Sequence, residues 1–207
     1  MSLSAVLPVK PLTCGKSRLH GCLSEEEIYE LNRSLFESTY EMLSTSAAID
    51  RVLVVSADEE ILNYVNHTGG MPLREKPPCS LNSALRQALA HLEDNYPGKV
   101  LIIPADLALM TAKDLENFLK LGGEGRFLAL VPDRYQWGTN AILTSHPQLL
   151  TPRFGRRSFQ KHAMQAANHC AELIVWLNRN IQSDLDTPQD LFVYNKLKPH
   201  SIQLLKV

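Results

Sequence analysis

The sequence predicts an α/β protein with a mostly parallel central sheet and helices on both faces. Short runs of consecutive apolar residues alternate with segments whose apolar residues recur at helical spacing. The runs are apolar throughout, as in strands that are buried on both faces of a sheet. A chain of 207 residues with 44% hydrophobic and 21% charged residues has an ordinary globular composition, so we expect residues 1–207 to form a single domain.

The first half of the chain is predicted to contain two strands and three helices. Residues 3–9 and 51–56 are apolar runs of strand length. Ser24 opens a capping box, a serine followed three residues later by glutamate, which starts a helix. Residues 58–67 fit a short helix, and Ser80 caps a further one.

The second half continues the alternation between apolar runs and helix starts. A threonine followed by proline marks one of these starts, because proline suits the first turn of a helix. The predicted elements, in order, are strand 99–104, a helix after Thr111, strands 126–131 and 140–144, a helix from Ser158 to about residue 170, strand 172–177, a helix from Thr187-Pro188 and an edge strand over 201–206.

Charge and composition limit the function classes. The net charge of −1 provides no overall attraction to nucleic acid or to a lipid surface, and no run approaches the roughly 20 apolar residues that span a bilayer. The four cysteines have no CxxC spacing and the seven histidines have no ligand spacing, so we expect reduced thiols and no dedicated His/Cys metal site. No signal peptide is recognisable at the start. We expect a cytoplasmic protein with no nucleic-acid or membrane partner.

A cationic loop follows the first predicted strand. It contains Gly15, Lys16 and Arg18 and would bring backbone N–H groups and two cations to one place, which suits phosphates. Gly15-Lys16-Ser17 imitates the end of a P-loop, but the glycine needed five residues earlier is Lys10. A solvated basic turn is the alternative interpretation.

Three aspartates are candidates for a metal site. Asp106 follows the apolar strand 99–104, where ligands collect at the carboxyl edge of a parallel sheet. Asp184 and Asp186 alternate in an extended segment and would point to the same side. Asp106 and Asp186 could share Mg²⁺, which prefers a few carboxylates and substrate phosphates. The alternative is that these aspartates only cap turns and helices.

Two further groups of polar residues could bind substrate. One group is Thr139 and Asn140, which follow Gly138. The other is Gly155 with Ser158, beside two arginines. Together they offer hydroxyls, N–H groups and cations to a phosphate or carboxylate. A turn with an ordinary basic helix start is the alternative.

Ser56, Asp58 and Asn82 form the remaining candidate group. Ser56 and Asp58 follow the second predicted strand, and Asn82 lies in the first turn of the helix capped by Ser80. Asn82 could read the edge of a nucleotide base or could be an ordinary surface amide.

The order of these motifs is more specific than any one of them. Read along the chain they are LPVKPL, KSRL, VSAD, LNSAL, PADLAL, GTNAIL, FGRRSFQKH and DLDTPQDL, from Val6 to Leu191. The series resembles the phospho-hydroxyacid guanylyltransferases of coenzyme F-420 biosynthesis, which are nucleotidyltransferases related to those of molybdenum-cofactor synthesis. The resemblance implies a Rossmann-like fold of the nucleotide-diphospho-sugar transferase type. It also implies transfer of GMP from GTP to 2-phospho-L-lactate, phosphoenolpyruvate or 3-phospho-D-glycerate, with release of diphosphate.

The resemblance also implies roles for individual residues. The acceptor-binding positions fall on Thr139, Gly155 and Ser158, and the metal-binding positions on Asp106 with Asp184 and Asp186. With the residues considered above, we expect Lys16, Arg18 and Asp106 to be catalytic. Lys16, Arg18, Ser56, Asp58 and Asn82 are then expected to bind the nucleotide, and Asn140 to join the acceptor site.

The sequence departs from the family pattern at three places. Gly15 stands where alanine is usual, Ala108 where proline is usual, and Trp137 where glycine is frequent. Trp137 would line or crowd the acceptor pocket. The alternatives are a related nucleotidyltransferase of molybdopterin or sugar-phosphate type, a P-loop NTPase, and a non-catalytic nucleotide-binding module. We expect a monomer or a homodimer.

Overall fold

Seven strands form one sheet in the computed structural model, which describes residues 2–197. Their order across the sheet is β3-β2-β1-β4-β6-β5-β7. The strands are β1 (Leu3–Pro8), β2 (Arg51–Ser56), β3 (Met71–Arg74), β4 (Lys99–Ile102), β5 (Phe127–Pro132), β6 (Thr139–Thr144) and β7 (Glu172–Val175).

The described residues also form six α-helices and two short 3₁₀ segments. The helices are α1 (Glu25–Ser44), α2 (Glu59–His67), α3 (Leu81–Asn95), α4 (Ala112–Leu119), α5 (Ser158–Asn168) and α6 (Pro188–Leu197), and the 3₁₀ segments are Ser17–Leu19 and Pro147–Leu149. No helix among residues 2–197 is long and apolar enough to cross a membrane.

Strand β6 is the one described strand that runs against its neighbours. It pairs antiparallel with both β4 and β5, whereas the other pairings are parallel. Ile102 at the end of β4 lies opposite Ile142, so the start of β6 is at the same sheet edge as the end of β4. The ends of β1, β4, β5 and β7 and the start of β6 therefore meet at one edge.

Five of the described strands, β1, β2, β4, β5 and β6, are buried because helices cover both faces of the sheet, whereas the edge strand β7 is mostly exposed. On one face α1, α2 and α4 contribute Phe36, Ile61 and Phe118 to the core, and on the other α3 and α5 contribute Leu85 and Ala166. Each large side chain that is removed from water in this way stabilises the fold by about 1.5–3 kcal/mol. The predicted mostly parallel sheet with two helical layers is confirmed.

The predicted helix starts are also confirmed. Ser24 accepts a hydrogen bond from the Glu27 N–H, and the Glu27 carboxylate accepts one from the Ser24 N–H, which completes the capping box. Ser80 caps α3, and Thr111 forms a second capping box with Asp114. Loss of such a cap costs about 1 kcal/mol.

The structure differs from the predicted elements in three respects. Strand β3 was not predicted, because Met71–Arg74 contains a proline and two exposed positions and lies at the sheet edge. The predicted strands 99–104 and 172–177 end two residues early, at Ile102 and Val175. The antiparallel direction of β6 was also not predicted. The predicted edge strand 201–206 lies outside the described residues.

Candidate active site

Four polar segments from distant parts of the chain come together at the strand-end edge of the sheet. They are the loop after β1 with Lys16, the segment after β4 with Asp106, the start of β6 with Thr139, and the segment between β7 and α6 with Asp186. The sheet topology explains this convergence, because parallel strands end at the same edge.

The loop after β1 presents the side chain of Lys16 through an unusual backbone path. Gly15 has φ of +93° and Lys16 has φ of 50°, so two successive residues adopt left-handed conformations. Glycine adopts such a conformation without the steric penalty of a side chain. The Asn32 side chain on α1 donates hydrogen bonds to the carbonyls of Leu12 and Cys14 and holds the loop against that helix. The P-loop resemblance is therefore confined to a glycine turn that is followed by one 3₁₀ turn.

Lys16 bridges two of the predicted aspartates. Its Nζ atom is 3.2 Å from Asp106 Oδ2 and 3.0 Å from Asp186 Oδ1, and its side chain is only 7% exposed. Burial alone would lower the pKa of Lys16, but the two carboxylates raise it above its ordinary value. The ammonium group is therefore held charged at the centre of the site.

Backbone contacts fix the two acidic segments relative to each other. The Leu185 N–H donates a 3.0 Å hydrogen bond to the Asp106 carbonyl. Asn140, at the start of β6, donates through Nδ2 to the Ile181 carbonyl at 2.9 Å, which holds the segment before Asp184. The two predicted metal-binding segments thus lie side by side, although Asp106 and Asp184 are 78 positions apart in the chain.

Asp190 supports the segment that carries Asp186. Its Oδ2 atom accepts hydrogen bonds from the Asp186 and Thr187 N–H groups and from the Thr187 hydroxyl, and Oδ1 accepts one from Arg134 at 2.6 Å. Burial would raise the pKa of Asp190, but the bonds from Thr187 and Arg134 lower it below the ordinary value. Asp190 and Arg134 were not singled out from the sequence for this role.

The third predicted aspartate lies beside the pair. Asp184 Oδ1 is 3.9 Å from Arg134, and burial, together with the charges of Asp106 and Asp186, raises the pKa of Asp184. No three His, Cys, Asp or Glu side chains among residues 2–197 are grouped closely enough to form a ready-made metal site. Asp106 and Asp186 nevertheless direct one oxygen each at the same cationic group and remain about one-third to two-fifths exposed. That donor set fits a hard divalent cation that completes its shell with phosphate oxygens.

The predicted acceptor residues occupy neighbouring positions on β6 and at the start of α5. Thr139 is 7% exposed, and its Oγ1 atom is 3.0 Å from Nδ1 of His162. Ser158 is buried as the first residue of α5. Gly155 has φ of +108°, a conformation that is strained for any residue with a side chain, so the loop before α5 requires glycine there.

A cavity is lined by residues that are close in sequence to Thr139 and Ser158. It has a volume of about 250 Å³ and is lined by Gln136, Trp137, Arg157 and Gln160. Trp137 is 56% exposed, and the Arg157 guanidinium lies 5.7 Å from the centre of its ring. The Phe159 N–H donates a hydrogen bond to the Trp137 carbonyl. Because Phe159 directly follows Ser158, this bond places the Trp137 backbone beside the predicted acceptor residues.

Three of the side chains predicted to bind the nucleotide, those of Ser56, Asp58 and Asn82, already have partners within the protein. Ser56 accepts a hydrogen bond from the Asp58 N–H, and Asp58 caps α2 and accepts one from the Leu12 N–H. The Asn82 amide pairs with the backbone of Phe154, donating to its carbonyl at 3.1 Å and accepting from its N–H at 2.7 Å. The sequence analysis did not predict these internal contacts.

The chain matches the protein family described as "Guanylyl transferase CofC like" over residues 3–194. It belongs to this family. It is 34% identical over 191 residues to a phosphoenolpyruvate guanylyltransferase of Sphaerobacter thermophilus, covering 92% of this chain and 91% of that protein. It is 31% identical over 192 residues to a 2-phospho-L-lactate guanylyltransferase of Methanocaldococcus jannaschii, covering 92% and 81%.

A solved structure shows the same fold. A protein of Desulfovibrio desulfuricans G20 described as a nucleotide-diphospho-sugar transferase superimposes with a TM-score of 0.77 at 17% identity, covering 97% of this chain and 90% of that chain. The predicted fold type is therefore confirmed. Membership of the CofC-like family likewise confirms the resemblance drawn from the order of motifs and the predicted enzyme class, a nucleotidyltransferase.

Proposed function

We propose that this CofC-like chain transfers GMP from GTP to the phosphate of a small phosphorylated acid and releases diphosphate, as a step of coenzyme F-420 biosynthesis. The observation that carries the proposal is the convergence of Lys16, Asp106 and Asp186 at the sheet edge where Thr139 begins β6. A buried cation, two carboxylates that point at one place and a nearby hydroxyl are the groups that this reaction requires.

The nucleotide would bind across the loops after β1 and β2. Arg18 is exposed on the 3₁₀ turn that follows Lys16, so its guanidinium is available to triphosphate oxygens. Lys16 is held by two carboxylates and would reach a phosphate oxygen through its third ammonium N–H. Ser56, Asp58 and Asn82 stay as predicted nucleotide-binding residues. Their internal partners indicate that Ser56 and Asp58 shape the loops after β1 and β2, whereas Asn82 also holds the loop before Gly155.

Asp106 and Asp186 would hold Mg²⁺, with Asp184 beside them. A metal ion held there would supply charge neutralisation for the phosphate groups. The carboxylates are positioned before any ligand arrives, because the Leu185–Asp106 backbone bond and the Asp190 hydrogen bonds fix both acidic segments. Such preorganisation reduces the rearrangement needed during the reaction.

The acceptor would bind between β6 and α5. Thr139, Gly155 and Ser158 would contact its phosphate, as the motif resemblance implies. Arg157 supplies a cation beside the Trp137 ring in the adjacent cavity, which suits the carboxylate of a small acid. Asn140 holds the Ile181 segment through one N–H of Nδ2, and the second N–H of this amide would be its contact with the acceptor.

The reaction itself needs positioning and charge neutralisation. An oxygen of the acceptor phosphate attacks the α-phosphorus of GTP in line, the new phosphorus–oxygen bond forms, and the bond to the β-phosphate oxygen breaks to release diphosphate. The attacking phosphate is already ionised, so no general base is assigned. Lys16 and Arg18 would bind the triphosphate oxygens and offset the charge on the leaving group.

Diphosphate release tests the proposal directly. The purified protein is given GTP and Mg²⁺ with phosphoenolpyruvate, 2-phospho-L-lactate or 3-phospho-D-glycerate in separate reactions, with ATP replacing GTP and with chelator as further arms. We expect release with GTP and one preferred acid, and loss of release on chelation. The Asp106→Asn variant should lose about 10²–10³ in rate, whereas the exposed Asp94→Asn variant should not. Absence of release with all three acids from folded protein that binds GTP would contradict the proposal.

A further inference from the structure

His162 lies on α5 with no exposed surface and contacts the acceptor site from within the protein. Its Nδ1 atom is 3.0 Å from Thr139 Oγ1, and its Nε2 atom is 3.0 Å from the backbone nitrogen of Arg153. The Phe154 ring packs against it with 4.9 Å between ring centres. The proposed reaction gives no role to this side chain, yet it links the strand that carries Thr139 to the loop before Gly155.

The two hydrogen bonds determine which ring nitrogen carries the proton. A backbone N–H can only donate, so Nε2 of His162 must accept from Arg153 and must be unprotonated. Nδ1 then carries the proton and donates it to Thr139 Oγ1. The opposite tautomer would place two N–H donors 3.0 Å apart between His162 and Arg153, with no acceptor between them.

The surroundings of the ring also disfavour a doubly protonated, charged form. Burial is the main cause and the positive charges of Lys161 and Arg153 are smaller ones; together they lower the pKa of His162 to about 4. The neutral ring with a proton on Nδ1 therefore persists at neutral pH. This agrees with the assignment from hydrogen-bond geometry.

The tautomer has a consequence for Thr139. A hydroxyl oxygen that accepts the His162 proton keeps its own proton free to donate in another direction. If His162 instead accepted from Thr139, the hydroxyl proton would be used within the protein and the oxygen would present only lone pairs. An anionic ligand is repelled by lone pairs and attracted by a donated proton.

We propose that His162 is a positioning residue that makes the Thr139 hydroxyl a hydrogen-bond donor to an anionic oxygen of the acceptor. This inference rests on the proposed function, because it takes the acceptor to bind at Thr139. His162 acts through Thr139 and touches no reacting atom. By accepting from Arg153 it also holds the loop that leads to Gly155.

The tautomer can be observed without any substrate. Histidine labelled with ¹⁵N is incorporated into the whole protein, and two-bond ¹H–¹⁵N correlation spectra are recorded between pH 5.5 and 8. The His162 signals are assigned from their loss in the His162→Asn variant. We expect a protonated Nδ1 and an unprotonated Nε2 over this entire pH range. A proton on Nε2, or titration of the ring near pH 6.5, would overturn the proposal whether or not the protein is active.

Two variants separate the two hydrogen bonds in the activity assay. His162→Asn can keep a donor near the Nδ1 position and loses the acceptor for Arg153, whereas His162→Gln can keep an acceptor near Nε2 and loses the donor to Thr139. Since one hydrogen bond contributes about 1 kcal/mol, His162→Gln should raise the KM of the acceptor roughly 5- to 10-fold and leave the KM of GTP within about twofold. His162→Asn should raise the acceptor KM less. The exposed His67→Gln variant is the matched control.

The outcomes distinguish this proposal from the proposed function. A wild-type protein that releases no diphosphate with any of the three acids contradicts the function, while the spectra still decide the tautomer. Equal rises of both KM values in His162→Gln, or equal acceptor KM values in the two His162 variants, would mean that His162 only stabilises the fold. If His162→Gln does not fold, the wild-type spectra remain decisive.

Discussion

Lys16 and Asp186 are 170 residues apart in the chain, but Nζ of the first lies 3.0 Å from Oδ1 of the second. The pair joins the loop that follows the first strand to the segment that precedes the last described helix. Asp106 completes the arrangement from the middle of the chain. Because a buried charge is costly without partners, these three residues depend on one another for both position and charge.

Replacement of Lys16 tests whether this cation acts in the reaction. Lys16→Met should lower kcat/KM about 10²–10³-fold, because one preorganised charge contact to the triphosphate is lost. Lys16→Arg should retain more activity, since it keeps the charge. Rates are measured by diphosphate release and folding by circular dichroism, with Lys120→Met as a control for a lysine on an exposed helix end. Near-normal turnover of folded Lys16→Met would contradict the assignment.

Replacement of Asp190 tests whether the hydrogen bonds that hold the Asp186 segment affect stability and catalysis. Asp190→Asn keeps the size of the side chain but turns an acceptor-only group into one that carries N–H donors, which would face the donors of Thr187 and Arg134. We expect the free energy of unfolding in urea to fall by about 2 kcal/mol, since buried donors are left without acceptors, and kcat to fall with it. Asp94→Asn, at an exposed position, should change neither quantity. Unchanged kcat in a destabilised Asp190→Asn protein would restrict Asp190 to a structural role.

The predicted elements are determined by local patterns in the sequence. The features that were missed depend on contacts between distant segments of the chain. Every described strand except β3 overlaps a predicted apolar run. For β1, β2, β4, β5 and β6 the reason is burial on both faces, which leaves a local pattern in the sequence; β7 is apolar in sequence although it is mostly exposed. The direction of β6 leaves no such pattern, since a fully buried run looks the same in a parallel or an antiparallel pairing. The antiparallel direction of β6 nevertheless places Thr139 at the sheet edge where Lys16, Asp106 and Asp186 lie.

The candidate site shows the same distinction. Lys16, Asp106 and Asp186 could be predicted to be neighbours because each follows a strand that ends at one edge. The bond between Arg134 and Asp190 joins residues 56 positions apart through a fold-dependent contact, so spacing could not reveal it. His162 stood within a recognised motif, but its role depends on hydrogen bonds that only the folded chain forms.

The buried His162 ring should make stability depend on pH. Its pKa is about 4 in the native protein and near 6.5 in the unfolded chain, so between these values the unfolded state binds a proton that the native state does not. The stabilisation is fully present above pH 6.5 and is lost as the pH falls towards 4. From pH 7.5 to pH 5 this group alone should lower the free energy of unfolding by about 2 kcal/mol.

Urea denaturation at the two pH values measures this dependence. The His162→Asn variant should lose most of the difference of about 2 kcal/mol that is expected from the linkage relation, because it removes the titrating group. His67→Gln, at an exposed position, should retain it. The same pH dependence in wild type and His162→Asn would show that His162 titrates alike in the folded and unfolded states.

Replacement of Asn82 tests whether its side chain contacts the nucleotide base or supports the loop before Gly155. Its amide makes two hydrogen bonds with the Phe154 backbone, directly before Gly155, so Asn82→Ala would release that loop and leave buried backbone groups unpaired. If this is its main role, the KM of the acceptor should rise about tenfold, the change that roughly 1.4 kcal/mol produces, while the KM of GTP changes little. A selective rise in the KM of GTP, together with weaker preference for GTP over ATP, would instead assign Asn82 to the guanine base. Asn95→Ala, at the exposed end of the same helix, should alter neither constant, and steady-state kinetics with each substrate varied in turn decide between the two roles.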